Sequence, residues 1–363
     1  MKINLLFISA SILILSACGG GGGGGGADTP SSPVTTNLAC ILPAGVDLGK
    51  VGNVTPKKSV TSGGTVLMGG NKDVDEAIKW MINKSGGGDF VVIRATGGNG
   101  YNSYINSFGG VNSVQTLLID NLINANNACV VETIKNASAL FIAGGNQADY
   151  INFYKGQGVG SAINYLINVK KAPIGGTSAG MAIMAQYYHP GGAPEDQSVL
   201  QAPTLVALGD NFLNNSLLLH TVVEPHFTQG TTGVVGTVSS PKRPPRLTAF
   251  MAKMLFSYTE NWQQIRGISA DNDTAVAIDE NGLAKIFVYA GRNGNVNFVK
   301  PTAAPELLAA GTPLTWNAAG KALEVYEVPG TVAGTNTFNL TNWTGTGGRL
   351  SYWSVNAGVL SMN

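Results

Sequence analysis

The sequence predicts an α/β fold, a doubly wound and mostly parallel sheet with a nucleophile elbow, followed by a β-rich C-terminal appendage. Three observations lead there. From residue 65 short runs that are apolar throughout alternate with amphipathic stretches, the pattern of a parallel sheet covered on both faces. A Gly-x-Ser-x-Gly pentapeptide, Gly176-Thr177-Ser178-Ala179-Gly180, stands where such a run meets a stretch able to begin a helix. After "RLTAFMAKMLF" the pattern changes to short strands with turn signals, Glu280-Asn281-Gly282 and Asn293-Gly294, both read as hairpin turns.

The N-terminal segment stands apart from that body. "MKINLLFISASILILSAC" has one lysine, an apolar run, then small residues and a cysteine, which is the pattern of a bacterial export signal. Leu15-Ser16-Ala17-Cys18 resembles a lipobox, which implies a signal peptide over 1–17 and lipidation of Cys18. Gly19 rather than an acidic residue follows, so outer-membrane anchoring is expected, facing periplasm or cell surface. The eight glycines Gly19 to Gly26 and "ADTPSSPVTTN" bury nothing and are expected to form a tether over 18–40. Residues 41–300 are then the catalytic domain, and 301–363 its β-rich extension.

In the body, "TVLMGG" reads as a strand, and "DVDEAIKWMINKSG" as a helix with Val74, Ala77, Ile78, Met81 and Ile82 on one face and Asp73 placed to cap it. "DFVVIRATGG", "VNSVQTLLIDNLINA", "ACVVETI", "ALFIAGG" and "APIGG" continue the alternation. The tail beyond residue 300, rich in Gly, Thr and Asn, reads as β-structure added at the sheet edge.

Charged residues make up 12% and the net charge is +1, so no long-range field draws nucleic acid or an anionic surface, and function must be local. Cys40 and Cys129 are an even pair in a compartment that permits disulfides, and are either bridged or two small buried thiols. No Cys-x-x-Cys or His-Glu-x-x-His spacing suggests a metal, and no cofactor is expected.

Candidate chemistry centres on Ser178. A tight strand-to-helix turn lifts its hydroxyl above the sheet edge, and the Ala179 N–H at the helix start can stabilise an oxyanion. A second strand end, Gly144-Gly145-Asn146-Gln147, can supply another N–H from Gly145. Of the three histidines, His189 lies beside Pro190 in a loop, His220 opens a strand, and His226 follows that strand and is the best candidate base.

In the order Gly144-Gly145-Asn146-Gln147, Gly176 to Gly180, His226-Phe227, Arg243-Pro244-Pro245-Arg246-Leu247 and Asp271-Asn272-Asp273-Thr274-Ala275, the chain resembles the S51 serine peptidases, cyanophycinase branch, whose fold is similar to class I glutamine amidotransferases. The resemblance covers roughly residues 60 to 290. It implies Ser178 as nucleophile, His226 as base, N–H groups near Gly145 and Ala179 as oxyanion hole, and Gln147, Arg243 and Arg246 in the substrate pocket. The chain departs from the family where Glu224-Pro225 replaces Asp-Gln, which puts Glu224 at a substrate-binding position. "GTTGVVGTVSSPK" intervenes before the arginines, and Asn272 falls where the family has an acid. Asn272 is therefore the expected partner of His226, with Glu224, Asp271 and Asp273 as alternatives. The expected substrate is a β-aspartyl or cyanophycin-like peptide. A surface lipoprotein that only binds, and a hydrolase of other specificity, are the competing readings. Oligomeric state is open, a dimer included.

Overall fold

The structure, a computed structural model, describes residues 40–228 and 243–363. The signal segment, Cys18 and the glycine run lie outside the described residues.

In chain order the elements are β1 (Asp47–Gly52), β2 (Gly64–Met68), α1 (Asp75–Lys84), β3 (Asp89–Arg94), α2 (Gly100–Ser107), β4 (Ser113–Leu118), α3 (Leu122–Asn126), α4 (Ala128–Asn136), β5 (Ala139–Ile142), α5 (Gln147–Tyr154), α6 (Gly158–Tyr165), β6 (Pro173–Thr177) and α7 (Ala179–Ala182). A long connection with three 3-10 turns leads to β7 (Thr221–Glu224) and α8 (Pro244–Ser257). The remainder is β8 (Arg266–Ala270), β9 (Thr274–Asp279), β10 (Leu283–Val288), β11 (Asn295–Pro301), β12 (Leu323–Pro329), β13 (Thr337–Asn339), β14 (Thr344–Thr346), β15 (Arg349–Asn356) and β16 (Val359–Met362).

The first sheet runs β1-β4-β3-β5-β6-β2-β9-β10-β13-β14, with β4, β3, β5, β6 and β2 parallel. Alternation along its strands explains the unbroken apolar runs. Val66 and Met68 of β2 face α1, where Ala77, Ile78 and Met81 are buried, while Leu67 between them faces the opposite layer with Ile134, Ile163 and Met181. The expected cap of α1 is not made. The N-cap is Val74, and the Asp73 carboxylate instead accepts from the Tyr101 hydroxyl at 2.8 Å.

A second sheet, β16-β15-β12-β11-β8-β7, is antiparallel except for the parallel pair β7/β8. It packs over α8, whose Leu247, Phe250, Met251 and Met254 share a core with Trp316, Leu323 and Trp353. Edge addition of the tail therefore holds for β13 and β14 alone, since β12, β15 and β16 build half of the second sheet. The first expected hairpin turn joins β9 to β10, but Asn293-Gly294 carries the chain from β10 in one sheet to β11 in the other. A Cβ at Gly294 would stand 2.0 Å from Thr274 Oγ1, so the crossing needs glycine. Cys40 and Cys129 are both disulfide-bonded. Among the described residues no helix is long and apolar enough to cross a membrane.

Candidate active site

Both sheets deliver their strand ends to one place. In the first sheet Met68 pairs with Thr177 on one side and Ala275 on the other, so Ser178, Gly69 and Thr274, one residue away, share an edge. That is the carboxyl edge of the parallel strands, where open α/β sheets place ligands. In the second sheet Glu224 is in register with Ser269, so the continuations of β7 and β8 bring Pro225-His226 and Asp271-Asn272 to the same edge.

Ser178 has φ 54° and ψ −115°, a conformation that a residue with a side chain adopts only under constraint. The constraint comes from its neighbours. The Ser178 N–H donates to the Met68 carbonyl at 3.0 Å. Glycine is required on both flanks, because a Cβ at Gly176 would lie 2.5 Å from the Gly180 carbonyl carbon and one at Gly180 would lie 2.1 Å from the Ile142 carbonyl oxygen. The helix that follows is a single turn, α7, shorter than the sequence suggests. The Ala179 N–H is its first, with no preceding turn to bond. Gly144 stands against Ser178, where an added Cβ would be 3.4 Å from the serine Cβ, and the Tyr150 hydroxyl pins this loop by donating to the Ala143 and Gly144 carbonyls at 2.7 and 3.2 Å.

His226 Nε2 lies 2.6 Å from Ser178 Oγ, and its Nδ1 lies 2.5 Å from Asn272 Oδ1. An amide oxygen only accepts, so Nδ1 carries the proton and Nε2 presents its lone pair to the serine. His226 has φ 50°, and its N–H donates to the Gly69 carbonyl at 2.8 Å. The imidazole lies so close over Gly70 that a Cβ there would be 2.1 Å from its Cε1. Burial lowers the His226 pKa below the usual value, while the Asn272 hydrogen bond opposes that shift. The ring is therefore neutral at pH 7 and able to accept a proton.

The other acids considered as partners of His226 are engaged elsewhere. Asp271 accepts from the Thr228 N–H at 3.0 Å and the Asn295 N–H at 2.8 Å, tying the segment after His226 to β11, and burial raises its pKa to about 6. Asp273 accepts from Asn71 Nδ2 at 2.8 Å and the Lys72 N–H at 2.9 Å. Glu224, expected against substrate, is 0% exposed. Its Oε1 accepts from Arg243 Nη1 at 3.2 Å and from Arg246 Nη2, and its Oε2 from Arg246 Nε at 3.1 Å.

Arg246 is also buried, at 5% exposed. Glu195, which the sequence did not single out, accepts from Arg243 Nη2 at 2.7 Å and Arg246 Nη1 at 3.3 Å. Arg243 Nη1 also donates to the Pro225 carbonyl at 2.6 Å, which places the pair one residue from His226. Gln147 Nε2 lies 3.4 Å from His189 Nδ1. His189, expected in a loop, is 2% exposed and stacks on Phe250 with ring centroids 4.8 Å apart. Burial pushes its pKa down to about 4, so it is neutral and accepts from Gln147. Among the described residues no group of His, Cys, Asp and Glu is arranged to hold a metal ion.

The arrangement can activate a hydroxyl, present N–H donors to developing negative charge, and recognise polar groups beside it. The family described as Peptidase family S51 matches residues 59–286. The chain is also similar to the crystal structure of a peptidase from an acI-B1 Actinobacterium, with 14% sequence identity over 71% of this chain and 94% of that one and a TM-score of 0.44. No curated protein matches. A family match across more than half of the sequence, enclosing Ser178, His226 and Asn272, identifies the chain: it belongs to peptidase family S51 and is a peptidase.

Proposed function

We propose that the protein is a serine peptidase acting through Ser178, His226 and Asn272 on a β-aspartyl, cyanophycin-like peptide. The observation that carries this reading is the continuous chain from Ser178 Oγ to His226 Nε2 at 2.6 Å and from His226 Nδ1 to Asn272 Oδ1 at 2.5 Å. Ser178 Oγ attacks the amide carbonyl as His226 Nε2 takes its proton. The Gly145 and Ala179 N–H groups face the oxyanion, and His226 returns the proton to the leaving amine. Water, deprotonated by the same imidazole, then releases the acyl group. Asn272 fixes the tautomer and supplies no formal charge.

The β-aspartyl assignment rests on the two guanidinium groups one residue from His226, which suit the free α-carboxylate that such a linkage leaves on the acyl side. The signal peptide over 1–17 is proposed to export the protein, and the segment 18–40 to anchor it through lipidated Cys18 to the outer membrane. The direct test incubates the purified full chain with cyanophycin, β-Asp-Arg and other isoaspartyl dipeptides beside a Ser178→Ala control. Release of amine by the wild type alone supports the reading. Equal release by Ser178→Ala overturns it.

A further inference from the structure

Four charged groups cluster beside the imidazole, and they differ in how firmly they are held. Glu224 is enclosed, and both its oxygens accept from guanidinium N–H groups. It compensates one of the two positive charges permanently. The second charge is compensated by Glu195, whose side chain is 38% exposed and which uses a single oxygen, Oε1, against both arginines. Glu195 belongs to the connection between α7 and β7, just after Gly191-Gly192, and an exposed carboxylate held by one oxygen is a weak, readily exchanged partner. Arg243 lowers and Glu195 raises the His226 pKa, so both charges act at the catalytic imidazole.

We infer that Glu195 is a specificity-determining residue: its Oε1 occupies the Arg243/Arg246 fork that would otherwise receive a substrate carboxylate, so an acidic substrate must displace it. Without Glu195 the pair carries one uncompensated positive charge, because Glu224 remains. With Glu195 in place the four groups are neutral together, and a carboxylate finds its donors already taken. The pocket thus favours a carboxylate only when that group also gains contacts that Glu195 lacks, such as the attachment of its acyl carbon near Ser178. Selection against small free dicarboxylates follows, since they have the charge without the anchored chain.

The inference rests on the proposed site, and its test separates the two. Calorimetry on Ser178→Ala, Ser178→Ala/Glu195→Ala and Ser178→Ala/Glu195→Gln would measure binding of N-acetyl-L-asparagine, which keeps a free α-carboxylate beside a β-amide, and of its neutral counterpart N-acetyl-L-asparagine α-amide. The ratio of the two Kd values should move at least tenfold toward the acid in both Glu195 variants. In the Ser178-containing proteins, KM for an isoaspartyl peptide should fall relative to KM for a neutral ester. An unchanged Kd ratio overturns the inference while leaving hydrolysis at Ser178 intact. A shifted Kd ratio without isoaspartyl hydrolysis by any variant supports the inference and counts against the peptidase substrate.

Discussion

Asn272→Asp should raise kcat. The amide oxygen already accepts from His226 Nδ1 at 2.5 Å, and aspartate is isosteric, so the substitution changes charge while leaving geometry and tautomer in place. A hydrogen bond to a charged group contributes about 1.5–3 kcal/mol where a neutral one contributes about 0.5–1.5. The difference acts only when the imidazolium forms, which makes it a transition-state effect of about 1–1.5 kcal/mol, or close to tenfold in rate. A Coulomb interaction of about 4 kcal/mol at ~4 Å and an effective dielectric constant of about 20 sets the ceiling. The assay is steady-state hydrolysis of an isoaspartyl peptide at pH 8, where His226 is neutral in both proteins. kcat should rise about tenfold with KM nearly unchanged, and the acidic limb of the pH profile should move up by roughly 1–2 units, because the carboxylate favours the charged ring. Asn272→Leu, which leaves Nδ1 unpaired, should lose about 100-fold or more. If Asn272→Asp changes neither kcat nor the acidic limb, residue 272 does not orient His226 and the reasoning fails.

Gly70→Ala should reduce kcat at least 100-fold, on the order of a lost general base, with an unchanged circular dichroism spectrum, because the new methyl displaces the His226 ring. In wild type, kcat/KM should keep its activity below the ordinary histidine pKa, falling only as acid protonates the depressed His226. Stability has two opposed pH terms. His189 titrates near 4 when folded, so its contribution is full above about 6.5 and is lost as pH falls to about 4, by roughly 3 kcal/mol. Asp271 titrates near 6 when folded, so its contribution is full below about 4 and is lost as pH rises through 6. Asp271→Asn should therefore steepen the acid-side fall of the urea midpoint between pH 6.5 and 4, and a slope equal to wild type would show that Asp271 titrates normally. For the N-terminal segment, Cys18→Ala should abolish incorporation of labelled palmitate, and undiminished labelling would exclude Cys18 as the lipid site.

The sequence made the first sheet legible because β2, β3, β5 and β6 are largely apolar on both faces and each contains glycines or runs into them within a few residues. The elbow was legible because Gly176 and Gly180 are spaced for the close approach that they make. The second sheet was not legible. β7 and β8 are short strands that pair with each other although α8 and residues outside the described structure separate them, and β8 pairs with β11 across β9 and β10, which belong to the other sheet. Asn293-Gly294 looked like a hairpin turn since local turn chemistry does not say which sheet the next strand enters. At the site, Ser178, His226 and Asn272 could be named from motifs. Glu195 could not, because nothing local distinguishes an acid in "GGAPEDQ" that meets two arginines about fifty residues later. His189 does lie in a loop, as read, but its burial was not legible for a related reason. Its burial comes from Phe250 on α8, and its one signal in the sequence was the apolar run that precedes it. Gly69-Gly70 was visible only as a strand end, and its reason, the imidazole lying over Gly70, belongs to tertiary structure.

The central claim, that Ser178 is a nucleophile activated by His226, is tested most directly by covalent labelling with a fluorophosphonate followed by peptide mapping. Ser178 Oγ stands 2.6 Å from the unprotonated Nε2, whereas an ordinary serine hydroxyl has no such base. The account predicts one adduct, on Ser178, absent from His226→Ala. An adduct on another serine, together with full peptide hydrolysis by Ser178→Ala, would contradict it.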